Sequence, residues 1–307
     1  MPQARSTTPA ATSGPGARRG RLTLLLAWVF LVELVVAAAV PLDAGRGGGT
    51  RPPQLITPAR SQVSAATKSL VVGDRTVRLL GLGGPAGDRL LSRVASGIGA
   101  AINAVEAFWG LDWSRDISVV AAHTDEEFRA AAGGGPAAQW ADIAAVTVAD
   151  RVDPVHRVVI GERIVFAPGA ANMTEGALRI VLTHELFHYA ARADTAADAP
   201  RWLTEGVADF VGRPRTPVPL DALPVPLALP SDADLDAPGS QRSLAYDRAW
   251  WFARFVADTF GTAKLHDLYL AVCGAGHTDV PSAAHDVLAT DSPGLLARWH
   301  EWLTRAG

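Results

Sequence analysis

His184-Glu185-Leu186-Phe187-His188 puts two imidazoles and a carboxylate within five residues. On a helix, residues four apart share a face, one turn above each other. Both rings can then reach a single metal ion. Glu185 sits beside the first ring, where it can handle a water on that metal. H-E-x-x-H is the short pattern most directly tied to metal-assisted hydrolysis. Composition alone would produce it in on the order of one chain in a hundred of this length, so the surrounding sequence has to decide.

The surroundings read as a helix. Thr174 can cap it, and Glu175 in the first turn suits the positive end of a helix dipole. Ala177, Leu178, Ile180, Val181, Leu182, Leu186, Phe187, Tyr189 and Ala190 follow, with no Pro or Gly after Gly176. A helix apolar on nearly all sides belongs in a core. Two histidines and a glutamate buried together without a partner are costly, and a metal removes the cost.

A catalytic zinc site needs a third protein ligand and an open position. Asp194 is one candidate, but Ala191 stands where a Gly would turn the chain back. The stronger candidate lies in Trp202-Leu203-Thr204-Glu205-Gly206-Val207-Ala208-Asp209-Phe210. Leu203, Val207, Phe210 and Val211 have helical spacing, which predicts a second, amphipathic helix. Glu205 and Asp209 then lie one turn apart on one face, where like charges repel. A cation beside them makes the pair sensible. Glu205 would bind zinc, and Asp209 would accept a hydrogen bond from the distal nitrogen of a ligand histidine.

Together, these two segments resemble the gluzincin metallopeptidases, in particular the small peptidase MA-like domains. The specific resemblance covers roughly residues 164 to 211, with a weaker echo to about 270. It implies a zincin-like α+β fold: a small mixed β-sheet, an active-site helix and a mostly helical C-terminal part. It implies zinc held by His184, His188 and Glu205, with Asp209 behind a histidine and Glu185 as general base. The expected activity is hydrolysis of a peptide or protein substrate. Tyr246, opening the helix after a Pro-rich stretch, is the expected oxyanion donor, since resembled domains often carry a Tyr there; Tyr189, Arg248 and His285 are weaker alternatives. The other expectations are an exported zinc-binding scaffold, an inactive relative, or a zinc amidase acting on a non-protein envelope substrate.

The chain has 307 residues and a formal net charge of −3. No basic stripe appears in the folded part, which argues against general nucleic-acid binding. Residues 1–21 are polar and basic, with Arg5, Arg18, Arg19 and Arg21. Residues 22–40 are hydrophobic apart from Thr23 and Glu33, close to a membrane-spanning length. The basic flank predicts a cytoplasmic tail, an uncleaved single-pass anchor and a C-terminal domain outside the cytoplasm. Ala37-Ala38-Ala39 also resembles a cleavage site, which would release a secreted protein. Cys273 is the only cysteine and is read as a packing residue.

Residues 41–68 read as a flexible linker, so the peptidase domain is expected at 69–307. A hairpin is predicted from Ser69 to Val72 and Thr76 to Leu80 around Gly73-Asp74, then a helix over 86–109. Ile117–Ala122, Ile143–Ala149, Arg157–Ile160 and Arg163–Ala167 read as strands. Thr124-Asp125-Glu126-Glu127 is a capping box for a short helix. Ile164-Val165-Phe166 reads first as a core strand; the alternative, from the resembled group, is an edge strand near the active site that pairs with extended substrate. Residues 213–240 hold seven prolines and could flank or cover a cleft. Helices are expected over 243–260, 263–273 and 292–304.

Overall fold

The computed structural model describes residues 66–219 and 228–307. The basic tail, the hydrophobic run at 22–40, most of the linker and part of the Pro-rich stretch lie outside the described residues. No helix among the described residues is long and apolar enough to cross a membrane.

The protein is α+β, with a small mixed sheet followed by a mostly helical C-terminal part. Strand β1 (Ala66–Val72) starts three residues earlier than expected and pairs antiparallel with β2 (Arg75–Gly81). Gly73 turns between them at φ 60°, a conformation that a two-residue hairpin takes easily at glycine. Helix α1 (Pro85–Trp109) then crosses over to β3 (Asp116–Ala121), which lies parallel to β2. Helix α2 (Asp125–Ala131) begins on the expected capping box at Thr124 and Glu127. Strands β4 (Ala145–Val148), β5 (Arg151–Asp153), β6 (Val158–Ile160) and β7 (Arg163–Phe166) follow. The main sheet runs β1-β2-β3-β7-β4, while β5 and β6 form a separate ribbon.

This order decides between two readings. Ile164-Val165-Phe166 is a core strand and not the edge strand of the alternative, because β7 pairs with β3 on one side and β4 on the other. Its backbone is committed to the sheet and cannot take up a substrate strand. The physical reason is in the sequence: three consecutive apolar residues suit a strand covered on both faces. Ile164 and Phe166 join the core under the helices, and Val165 joins a smaller core with Phe128, Trp140 and Val146. The outer strand on that side is β4. Alternation along β4 turns Val146 and Val148 toward the smaller core and Thr147 toward the opposite face.

Helix α3 (Glu175–Ala191) is capped by Thr174, whose hydroxyl accepts from the Ala177 N–H. It continues as a single 3-10 turn through Asp194. Helix α4 (Arg201–Gly212) follows. It is the expected amphipathic helix, but it is covered on its polar side as well, since Trp202 to Asp209 are all buried. The cause is close packing on two sides. A Cβ on Gly206 would lie 2.5 Å from the Ala249 carbonyl oxygen, and one on Gly212 would lie 3.1 Å from the Ile180 carbonyl oxygen. Two glycines inside one helix cost about 1 kcal/mol each relative to alanine. Here they let α4 press against both of its neighbours, which sets where Glu205 sits.

The Pro-rich stretch is partly ordered. Val218 donates to the Ala306 carbonyl, and a short helix α5 (Asp232–Leu235) lies within it. Asp232 accepts from the N–H groups of Arg201 and Trp202 and so caps α4. Helices α6 (Ser240–Phe260), α7 (Thr262–Cys273), α8 (Val280–Leu288) and α9 (Ser292–Ala306) complete the chain. Of these, α8 was not anticipated. Cys273 is buried on α7, as a packing residue would be.

The main core joins α1, α3 and α7 through an aromatic cluster. Trp109 meets both Phe187 and Tyr269 edge-on, with centroids 5.6 and 5.3 Å away. Each such buried ring contributes about 1.5–3 kcal/mol by leaving water. Arg75 is also buried: it bonds Glu106 at 2.9 Å, donates to the carbonyls of Leu111, Trp113 and Ser114, and lies over the Trp113 ring. It thereby fixes the turn between α1 and β3. The helix that carries His184 rests on this rigid layer.

Candidate metal centre

Helix α3 turns His184 and His188 to one side, and α4 brings Glu205 against them. One ligand atom from each of the three lies within 4.8 Å of the others, and all three residues are buried. This group could bind a metal ion. Asp194, the rival third ligand, is elsewhere: its carboxylate holds Arg157 at 2.7 Å.

The details show why the group suits a cation. Nδ1 of His184 lies 2.9 Å from Oδ1 of Asp209, so the ring donates there and turns its Nε2 to the other side, where a metal would displace any proton it carries. That Nε2 is 3.3 Å from Oε2 of Glu205 and 3.0 Å from Nε2 of His188. Neither carboxylate oxygen of Glu205 has a hydrogen-bond partner, although both are buried. Buried lone pairs facing one another are expensive unless positive charge lies between them. A proton on one ring answers one of these contacts; a metal ion answers all three.

The electrostatics point the same way. Burial would lower the pKa of His184, but the hydrogen bond to Asp209 and the charges of Asp209 and Glu205 outweigh it and raise it well above the usual value. Burial would raise Asp209, but Arg213 and His184 hold it below the usual carboxylate range. The His184 shift reports negative potential at its ring, where a cation is favoured; the Asp209 shift reports the cations already beside it.

Glu185 is on the same helix and fully buried. Burial pushes its pKa up to about 7, against the lowering pull of His184, His188 and Thr147. Thr147 reaches it from β4: its hydroxyl is 2.7 Å from Oε2 of Glu185 and 2.8 Å from the Glu185 carbonyl oxygen. Oε1 of Glu185 has no hydrogen-bond partner. One oxygen is thus held by the sheet and the other left for a further donor.

Tyr246, on α6, is buried, and its hydroxyl is affected by the charges of Glu205 and Asp209. Burial first, then those two carboxylates, raise its pKa well above the usual value, so the phenol keeps its proton. The weaker alternatives are placed elsewhere. Tyr189 donates to the Asp116 carbonyl, Arg248 to the Ala228 carbonyl, and His285 is exposed beside Asp286.

Sequence reasoning missed three residues here: Thr147, Arg213 and Asp247. Nη1 of Arg213 donates to Oδ2 of Asp209 at 2.9 Å, and Nη2 donates to Oδ1 of Asp247 at 3.0 Å. The spacing of Asp209 and Arg213, four apart on a predicted helix, was a usable signal. Nothing local marked Thr147 or Asp247, which depend on how elements distant in sequence meet.

A cavity of about 680 Å³ lies behind the C-terminal end of α3, lined among others by Arg78, Arg157, Arg163 and Tyr189. Its arginines already pair with Asp116, with Asp112 and Asp194, and with Asp150. It contains none of the buried groups that call for a cation, so size alone does not make it the reactive site. Compared with known proteins, the chain matches no protein-family model and no curated protein.

Proposed function

We propose that this protein is a zinc-dependent peptidase of the gluzincin kind. One observation carries the reading: a base on Thr147, two imidazoles and a carboxylate without hydrogen bonds converge in one buried site. Two nitrogens and one oxygen are a donor set that zinc accepts with a position left for substrate. His184, His188 and Glu205 would hold it. Bound there, zinc would supply Lewis acidity, activating water and polarising a carbonyl.

The chain's own groups divide the remaining work. Glu185 accepts the proton of the attacking water at its free Oε1 and delivers it to the leaving amine. Thr147 keeps the other oxygen still, so the base does not rotate out of line. Tyr246 donates its retained proton as a hydrogen bond to the developing oxyanion. Asp209 holds the His184 ring in the tautomer that presents Nε2 to the site. A scaffold with a purely structural metal would have no use for a buried base one residue from a ligand. All of these residues are less than a tenth exposed, so the reaction would take place in a site shielded from bulk water. The hydrophobic run at 22–40 and the arginines before it support a domain tethered outside the cytoplasm.

The test is proteolysis of casein, an unstructured substrate, by the purified full chain. Cleavage is expected, lost with 1,10-phenanthroline and restored by added zinc. Cleavage that persists in the chelator contradicts the metal mechanism. A zinc-loaded chain that cleaves neither casein nor unstructured peptides contradicts the peptidase reading.

A further inference from the structure

The ion-pair chain behind His184 runs further than its first carboxylate. It passes from His184 on α3 to Asp209 on α4, then to Arg213 at the end of α4, and ends at Asp247 on α6. Each member is largely buried, with side-chain exposures of 1%, 10%, 17% and 12%. Arg213 also lies over the Trp250 ring, 4.0 Å from its centroid. The guanidinium is planar and presents its donors in a fixed fork. One arm is on Asp209 and the other on Asp247, while the ring below limits its rotation.

We propose that Arg213, anchored by Asp247 and Trp250, is a positioning residue for the metal site: it fixes the Asp209 carboxylate that orients His184. This rests on the metal-centre reading above. The geometric argument is about which oxygen is free. With Oδ2 of Asp209 held by Arg213, Oδ1 is left directed at Nδ1 of His184. Without that arm, the carboxylate can rotate about its last bond and the imidazole loses its fixed partner. A group that holds a ligand histidine directly, as Asp209 does, is worth about 10–100-fold in metal affinity, and Arg213 acts through that group. The arrangement has a second consequence. Asp247 follows Tyr246 directly in α6, so the Arg213 fork ties the helix that carries the phenol to the one that carries Glu205.

The test measures zinc affinity of the full chain by competition with a chromophoric chelator, together with melting of the metal-free protein. Arg213→Met keeps an apolar stem over Trp250 and removes both arms; it should weaken zinc binding by up to about tenfold, the lower end of the range for a group that holds a ligand directly. Arg213→Lys keeps one charge without the fork and should recover part of the loss. Asp247→Asn keeps the shape and loosens the anchor; it should weaken binding several-fold, and it decides the matter if Arg213→Met does not fold. A merely structural role would lower the metal-free melting temperature and leave zinc affinity at the wild-type value; that result overturns the proposal. If the wild-type chain itself binds no zinc, the metal centre fails and this inference with it. If the wild type binds and the variants match it, only the inference fails.

Discussion

Glu185→Gln is expected to keep the metal and lose hydrolysis, with turnover falling by about 10²–10⁴-fold. Glutamine has nearly the same shape, and its amide oxygen can still accept from Thr147, so the packing of α3 against β4 is retained. What it lacks is a site for the proton. Glu185 is not one of the three clustered ligand residues, so zinc affinity should stay near the wild-type value. The check is a casein assay beside a zinc titration of the same preparation. Activity within a few-fold of wild type would remove Glu185 from the mechanism. Loss of metal together with activity would show that the glutamate serves the site's structure instead.

Removing the metal is the second large effect. The metal-free cluster leaves both oxygens of Glu205 buried without a hydrogen bond, next to the ionised Asp209. A ligand that binds only the folded state stabilises it by RT ln(1 + [L]/Kd), about 4 kcal/mol at a thousand-fold excess over Kd. For a domain of this size, 1 kcal/mol corresponds to roughly 2–4 °C in Tm. Chelation should therefore lower Tm by roughly 8–16 °C, and added zinc should restore it. Differential scanning calorimetry with and without chelator reads this directly. A Tm unchanged within about a degree would mean that no tightly bound metal supports the fold.

The site was legible in the sequence to the extent that it is local. His184 and His188 are fixed by helical spacing, and the cap at Thr174 announces that helix. Glu205 and Asp209 were legible because two like charges one turn apart need a reason. Their joining to His184 required only that two neighbouring helices pack, and Gly212, whose Cβ would meet the backbone of Ile180 and His184, is what permits that approach. The sheet was less legible. Ile164-Val165-Phe166 could be read as a strand but not placed, because strand order depends on how crossovers return and not on any pattern within a strand. Its unbroken apolar run was the available sign of a central position. Thr147 illustrates the limit: its strand was readable, but its contact with Glu185 exists only after β4 has paired with β7 and α3 has packed on them.

The Pro-rich stretch shows the same limit. Residues 213–240 gave no periodicity, yet Arg213 begins the stretch and Asp232 caps α4 within it. Both roles come from single side chains meeting distant elements. Pattern reading cannot detect such contacts, and composition pointed only to a loop.

The most direct measurement of the central claim is the metal content of the purified chain by elemental analysis, with Glu205→Ala beside the wild type. The account predicts about one zinc per wild-type chain, retained through gel filtration, and little or none in the folded Glu205→Ala variant. A folded wild-type chain that takes up no zinc, or a variant that retains it fully, would contradict the assignment of His184, His188 and Glu205 as a metal centre.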